Sequence, residues 1–403
     1  MVPTRANPRR TGGHRRRSPY RPDRTRHRPP GGRSARGRRT GRLPGVAVTA
    51  SPSDIARGLR SPLWSARPQG LIWPRQEWQW LVDAGVPGWS IPAPFGGSGQ
   101  SPQDLLDGCR ELARANLSVT FILSQFQAAC QRLVACRNAN LQFRWLPRLA
   151  SGEAFATVGI SHLTTSRQHV AAPAVTAEAT DGGYVLDGVV PWVTGADVAD
   201  VIVLGGTLSE GLQVLTAVPR DRIGLVVEPP VELLALSESR TASVQLRHVT
   251  VVADEVLAGP APQVLTELSR QGGGAGSLTT SALALGHAQQ SLDRLEEEAA
   301  ARPILQPVLA AFNEEVARLA ADLRSAAQGD QLGHLTPDHL RTRATSLALR
   351  TSQAYLAAAK GAGFVTGHSA ERLVREAMFF LVWSCPQVVA NNLLGEFSRC
   401  DEL

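Results

Sequence analysis

The sequence predicts an α+β protein of several domains: a helical N-terminal region, a strand-rich middle and a C-terminal bundle of long helices. Three observations carry this. Residues 51–155 place apolar residues at helical spacing between Pro and Gly breaks. Residues 156–256 are richer in Val, Thr and Gly, and their apolar runs are short and separated by turn residues. Residues 276–400 return to long segments that are apolar along one face. At 403 residues the chain is long enough to bury several layers.

In the first region, Gln76 to Ala84 carries Trp78, Trp80, Leu81 and Val82 in a short amphipathic pattern that Gly85-Val86-Pro87 ends. Pro92 to Gly99 is a loop. Leu105 to Ala115 and Leu117 to Cys136 follow as longer apolar helices, then Phe143 to Leu149, closed by Gly152. The middle region offers runs at Ala154–Ile160, Ala174–Ala179, Tyr184–Val190, Val201–Leu204, Leu212–Val218, Leu225–Val227, Ser243–Leu246 and Val249–Val252. So many short strands argue for a small β-barrel or a sandwich. Leu278–Ala300, Pro307–Gln328, Pro337–Lys360 and Ala370–Val382 then read as four helices of a bundle. The glycine run 272–276 is a flexible joint before them. The resulting boundaries are 1–45, 51–155, 156–258 and 276–400.

The net charge of +7 comes from one end of the chain. Residues 1–43 hold 15 arginines and a single acid, Asp23, whereas the remainder has 34 acidic against 27 basic residues. Residues 1–45 therefore read as a disordered Arg-rich tail. Such a tail can contact nucleic acid through counterion release, but a solvated tail or an over-extended start is the plainer reading. It has no apolar stretch of signal or membrane type. Five cysteines (Cys109, Cys130, Cys136, Cys385, Cys400) form no C-x-x-C pair, which fits reduced thiols in the cytoplasm. The nine histidines form no H-x-x-x-H or H-E-x-x-H pattern, so no metal site is expected. The final Asp401-Glu402-Leu403 is a chance likeness to a retention signal.

The most informative segment for chemistry is Tyr184–Asp200. A strand turns at Asp187-Gly188 and a second run delivers Trp192 and Thr194, two positions apart, which alternation places on one face. An indole beside a hydroxyl can cover a flat heteroaromatic ring and hydrogen-bond its edge. Taken alone, Trp192 reads more simply as core.

Leu186 to Thr194 resembles L-N-G-x-K-x-W-x-T, the flavin-covering segment of the acyl-CoA dehydrogenase superfamily, with Val190 at the Lys position. Further segments follow in that family's order. Pro92 to Gly99 resembles P-E-E-Y-G-G-x-G. Leu146 to Glu153 is similar to L-P-x-L-A-x-G-E, and Leu246 to Val251 to F-D-x-V-x-V. Gly361-Ala362-Gly363-Phe364 and Glu371 to Ala377 resemble G-x-G-[FY] and E-R-x-x-R-D-A. The resemblance spans about residues 70–395. It implies a helical domain, a middle antiparallel β-barrel and a C-terminal four-helix bundle, with FAD between barrel and bundle and a homodimer or homotetramer. Carried over by position, the cofactor contacts are Val158, Ile160, Ser161, Trp192 and Thr194, with Arg302, Gly361 and Gly363 toward the FAD tail. The glycine pair reads equally well as a helix stop.

The resemblance breaks where thioester chemistry would occur. The family's glutamate lies in a Y-E-G-T turn; here Trp383-Ser384-Cys385-Pro386 stands there, so the acid is Ser384. The other position used for it, at the start of the first bundle helix, is Gly276-Ser277. His162 follows Ser161 where the family has Glu. His162 and Ser384 are the remaining candidates for catalysis, with His162 also readable as a capping residue at the barrel rim; Glu371 or Glu376 would have to swing in to replace the lost acid. Three readings follow. One is a FAD-dependent oxidoreductase acting on an acyl thioester, linked to coenzyme A or a carrier protein, with an electron-transfer flavoprotein as partner. The second is a monooxygenase fed with reduced FMN or FAD as a diffusible cosubstrate by a flavin reductase. The third is a catalytically silent partner subunit.

Overall fold

The N-terminal helices begin where the sequence supplies caps. In α1 (Pro52–Leu59) the Ser51 hydroxyl accepts from the Asp54 amide at 3.2 Å, and Pro52 fills a position that needs no donor. The same Ser-Pro start recurs at Ser101 for α3 (Pro102–Ala115), after α2 (Arg75–Asp83). Asn116 leaves helical geometry at φ −157°, which ends α3; its side chain then accepts from the Val119 amide at 3.1 Å and starts α4 (Leu117–Ala135). Asn138 caps α5 (Ala139–Ala150) in the same way. The expected helices are all present. α3 and α5 start earlier than their first strongly apolar residues because the cap, not the first leucine, fixes the start. The structure, a computed structural model, describes residues 50–60, 70–164, 172–269, 276–329 and 335–398. The Arg-rich tail, the glycine run up to residue 275 and the segment Cys400–Leu403 lie outside the described residues.

The middle region is one mixed sheet rather than the expected antiparallel barrel. Its strands are β1 (Ala156–Gly159), β2 (Val175–Thr180), β3 (Gly183–Val193), β4 (Val201–Thr207), β5 (Gln213–Pro219), β6 (Leu225–Val227), β7 (Ala242–Val252) and β8 (Val256–Ala261), with a short α6 (Ser161–Thr164) after β1. The order is β6-β7-β3-β2-β4-β5-β8, and β1 lies beside β4. β1 runs parallel to β4 from Ala156↔Val201 to Gly159↔Leu204, and β2 meets β4 in parallel at Thr176↔Thr207. With β4 shared among β1, β2 and β5, the edge strands β6 and β8 stay unpaired with each other and the sheet does not close. Apolar patterning cannot show this, because parallel pairing joins residues some 45 positions apart in sequence. Two runs expected as separate strands, 243–246 and 249–252, are one strand, β7. His248 sits within it at φ 52°, and its amide donates to the Asp187 carboxylate at 2.8 Å. The strand β8 lies beyond the last of the expected runs, 249–252.

After α7 (Val264–Leu268) come α8 (Gly276–Ala301), α9 (Gln306–Gln328), α10 (Pro337–Ala359) and α11 (Ser369–Phe379), matching the four expected helices. A fifth, α12 (Gln387–Ser398), follows Pro386; its Glu396 accepts from Ser346 Oγ of α10 at 2.6 Å. Among the described residues no helix is long and apolar enough to cross a membrane.

The helical N-terminal region and the sheet share one core. Phe126 of α4 is fully buried, stacked on Phe155 at 5.7 Å and edge-on to Trp78 at 5.4 Å. A second core joins α8–α11 to Cys109 and Ala113 of α3, Leu117 and Phe121 of α4, and the loop residues Ala235 and Leu236. Gly286 permits the close approach of α8 to α3: a Cβ there would stand 2.3 Å from the Arg110 carbonyl oxygen. Truncating Phe126 to Ala should destabilise the protein by roughly 3–5 kcal/mol, since it removes the stacked ring from a site with no exposure. Urea unfolding measures it; a loss under about 1 kcal/mol would contradict the packing described.

Candidate functional site

The strand ends of β1 and β3 meet, which brings the carried-over residues Val158, Ile160, Ser161, Trp192 and Thr194 into one neighbourhood. Thr157 Oγ1 donates to the Thr194 carbonyl at 2.7 Å. A Cβ on Gly159 would lie 2.7 Å from Val190 Cγ1 and 2.9 Å from Val193 Cγ2, so these valines fill the space that Gly159 leaves. Val190 is fully buried there, which accounts for an apolar residue at a position that is Lys in the resembled motif.

Trp192 and Thr194 do not share an environment, contrary to the simple alternation. The register of β3 against β7 shifts between Val190 and Val193, and the strand ends at Val193. Trp192 is left 57% exposed, whereas Thr194 is 4% exposed, with its hydroxyl 3.3 Å from Thr241 Oγ1. Thr241 in turn lies 2.9 Å from Ser239 Oγ, giving a buried row of three hydroxyls.

Val158 is buried, and Ile160 and Ser161 are half-buried where β1 passes into α6. His162 Nε2 lies 2.9 Å from the Gly205 carbonyl and therefore carries the proton, donating to that oxygen. Burial holds its pKa below the usual imidazole range, so the ring is neutral with Nδ1 as the basic nitrogen. Nδ1 is buried and has no hydrogen-bond partner among the described residues. One ring nitrogen of His162 is thus tied to β4 and the other is uncommitted.

A second group forms where α8 and α10 end. Arg302 donates to Glu298 Oε2 and to the Ala358 carbonyl at 2.7 Å, close to the turn that holds Gly361 and Gly363. The two glycines differ. A Cβ on Gly361 would meet nothing within 4 Å, whereas one on Gly363 would lie 2.7 Å from Ala359 Cβ. Gly363 is therefore required by packing at the helix end, and Gly361 leaves open backbone.

The loop Trp383–Pro386 offers no carboxylate. Trp383 stacks on Phe379 at 5.5 Å and meets Phe121 edge-on at 4.8 Å. Ser384 is exposed at φ 46°. The buried Arg341 ties the turn down, donating to the carbonyls of Phe380 at 3.0 Å and Trp383 at 2.9 Å. Burial raises the Cys385 thiol, partly offset by the Arg341 charge. Neither glutamate weighed as a substitute for the lost acid is available. Glu371 is held by Arg375 at 2.7 Å and the Gly367 amide at 3.0 Å, and the Arg375 hydrogen bond lowers its pKa. Glu376 is 4% exposed, with His287 Nε2 3.7 Å and Arg372 Nε 3.7 Å away, and burial raises its pKa.

Sequence reading missed the polar groups buried around Glu376. The wholly buried His287 is pushed down to about 3 by desolvation and by Arg372. A single signal could have found it: His287 lies one turn after Leu283 and Ala284, on the inward face of α8. Because its folded pKa is depressed, the unfolded chain binds the extra proton. The stability linked to His287 is present above about pH 6.5 and is lost as pH falls toward 3. H287L should flatten this acid limb; thermal midpoints between pH 7 and pH 4.5 that fall equally for both proteins would refute it.

Comparison with known proteins fits this geometry. The model of the acyl-CoA dehydrogenase N-terminal domain matches residues 62–153. A probable acyl-CoA dehydrogenase, YngJ of Bacillus subtilis (strain 168), is 25% identical over 326 residues, covering 75% of this chain and 84% of its own. Among solved structures, glutaryl-coenzyme A dehydrogenase in complex with glutaryl-CoA aligns with a TM-score of 0.73 at 18% identity, covering 86% of this chain and 95% of that one. FMN-bound TdsC from Paenibacillus sp. A11-2, a dibenzothiophene monooxygenase, aligns with a TM-score of 0.72 at 18% identity, covering 86% and 96%. The chain thus carries a match to the acyl-CoA dehydrogenase N-terminal domain, is similar over most of its length to a probable acyl-CoA dehydrogenase, and shares its fold with glutaryl-coenzyme A dehydrogenase and TdsC.

Proposed function

We propose that the protein is a flavin-dependent oxidoreductase whose cofactor lies against Trp192 and whose substrate is an acyl thioester or a related small molecule. The observation that carries this is Trp192. Its indole stays 57% exposed between neighbours that folding buries, at the meeting point of β1 and β3. The residues present fit a flavin. Trp192 offers a flat apolar face, His162 Nδ1 is a buried acceptor with no hydrogen-bond partner among the described residues, and Gly361 leaves backbone open to close approach. Arg302 already serves Glu298 and Ala358, so its part in holding a pyrophosphate is the weakest of the set. When bound, a flavin supplies a two-electron acceptor or, once reduced, a partner for oxygen.

The chain's own residues then set the rest. Trp192 covers and orients, and Thr194 presents a hydroxyl backed by Thr241 and Ser239. His162 holds a proton on Nε2 against Gly205 and keeps Nδ1 able to accept one. A monooxygenase reading is favoured by one observation: the loop at Trp383–Pro386 carries a hydroxyl and a thiol but no carboxylate, while Glu371 is tied down elsewhere. TdsC, a monooxygenase, shares the fold.

The purified protein should be yellow or take up FAD or FMN on incubation. Trp192→Ala should weaken flavin retention by roughly three- to tenfold, the value of one lost aromatic contact. Flavin content equal to wild type would remove Trp192 from the site. Anaerobic bleaching by an acyl thioester supports the dehydrogenase reading, and oxygen consumption that requires an added flavin reductase supports the monooxygenase reading.

A further inference from the structure

The largest group of buried charge lies away from the Trp192 strand end. A cavity of about 560 Å³ opens between α2, the start of α4, the second half of α8, α11 and the turn Ser237–Ser239. Six carboxylates and four arginines line it. Each arginine faces a carboxylate. Arg114 grips Asp293 through two hydrogen bonds, Arg294 meets Glu297 at 2.8 Å, and Arg372 faces Glu376 at 3.7 Å. Arg60 lies 4.0 Å from the same Asp293.

The walls also hold two buried acceptors without a hydrogen-bond partner among the described residues, beside one buried donor without one, Arg372 Nε. Gln290 is 9% exposed, and its Oε1 has no hydrogen-bond partner among the described residues. Glu376 is 4% exposed, and its Oε2 accepts no hydrogen bond there either. Glu238 adds a third acceptor. It sits on a turn bracketed by two non-glycine residues in the left-handed region, Leu236 at φ 62° and Arg240 at φ 47°. Leu236 is anchored in the bundle core and Arg240 pairs with Asp197, so the fold holds this turn in a costly conformation. Buried acceptors without donors are unfavourable unless something fills them.

We propose that this cavity binds the protonated nitrogen of a small organic cation, a primary ammonium group, among Glu238, Glu376 and Gln290. An ammonium brings three donors and one positive charge, which matches three acceptors in a lining where carboxylates outnumber arginines. An anion would meet six carboxylates against four arginines. A metal ion is the wrong occupant, because no group of three His, Cys, Asp or Glu among the described residues is arranged to hold one.

The charges around Glu238 agree with this. Burial, then the carboxylates of Glu376 and Glu77, raise it to about 7, against a hydrogen bond from Ser118 and the charge of Arg372. Behind Glu376 stands His287, which is neutral and supplies no countercharge. Near neutrality Glu238 is therefore half protonated, and a bound cation takes the place of that proton.

The test needs no flavin. The full-length protein is titrated calorimetrically with n-butylammonium chloride, and with 1-butanol as the uncharged isostere. Saturable binding of the ammonium and none of the alcohol is expected. Binding should be about tenfold weaker at pH 6 than at pH 8, because Glu238 must lose its proton while the ligand's charge stays constant. E238Q should bind at least tenfold more weakly at pH 8 and lose the pH dependence; Q290L should weaken binding and keep it. Absence of saturable binding to the wild-type protein, equal binding of the alcohol, or a pH-independent affinity overturns the proposal whether or not the variants fold. Wild-type affinity in a folded E238Q also overturns it.

Discussion

Helix α4 is the constraint on which the rest depends. Of its 19 residues, 13 are buried. Ile122, Phe126 and Leu133 enter the core shared with α1, α2 and the sheet, while Leu117 and Phe121 enter the core of the C-terminal helices. A helix buried on most sides is mainly apolar, as this one is, with 12 apolar residues among the 19 from Leu117 to Ala135. At its start Asn116 caps it, and Ser118 faces the cavity and bonds Glu238. Both cores and both polar regions are therefore positioned by one element.

Two kinds of polar arrangement emerge around it. At the β1–β3 junction the groups are neutral: the hydroxyls of Thr194, Thr241 and Ser239, and an imidazole kept uncharged by burial. Around Glu376 and Glu238 the groups are charged and crowded, and burial moves the carboxyls up and His287 down. The row of hydroxyls ends at Ser239, next in sequence to Glu238, so a single turn belongs to both regions. The loss of a carboxylate at Ser384 is accompanied by the filling of that corner with Phe121, Phe379 and Trp383, and by the anchoring of its backbone to Arg341.

The helices were legible because their signals are local. Ser51-Pro52, Ser101-Pro102, Asn116, Asn138 and Thr336-Pro337 mark their starts, and apolar spacing marks their faces. The sheet was legible strand by strand but not as a topology. Pairing of β1 with β4 depends on contacts across some 45 positions, and the merging of two runs into β7 depends on His248 being held at positive φ by Asp187. In the candidate site, Trp192 and Thr194 stood out as residue types, but the shift in register that separates their environments did not.

The sequence by itself determined the order of helical, strand-rich and helical regions, the resemblance to the acyl-CoA dehydrogenase superfamily, and the absence of a glutamate at Ser384. These follow from side-chain periodicity and from residue identity at motif positions. Only the tertiary structure decided that the sheet stays open, that Gly363 is a packing glycine while Gly361 is not, that Glu371 is held by Arg375, and that Glu376 is buried beside His287. It alone brought Glu77, Glu238, His287, Gln290 and Glu376, spread over three hundred residues, around one cavity. Burial and mutual charge act through space, so pKa values and unfilled acceptors are set by neighbours that no local pattern in the chain reveals.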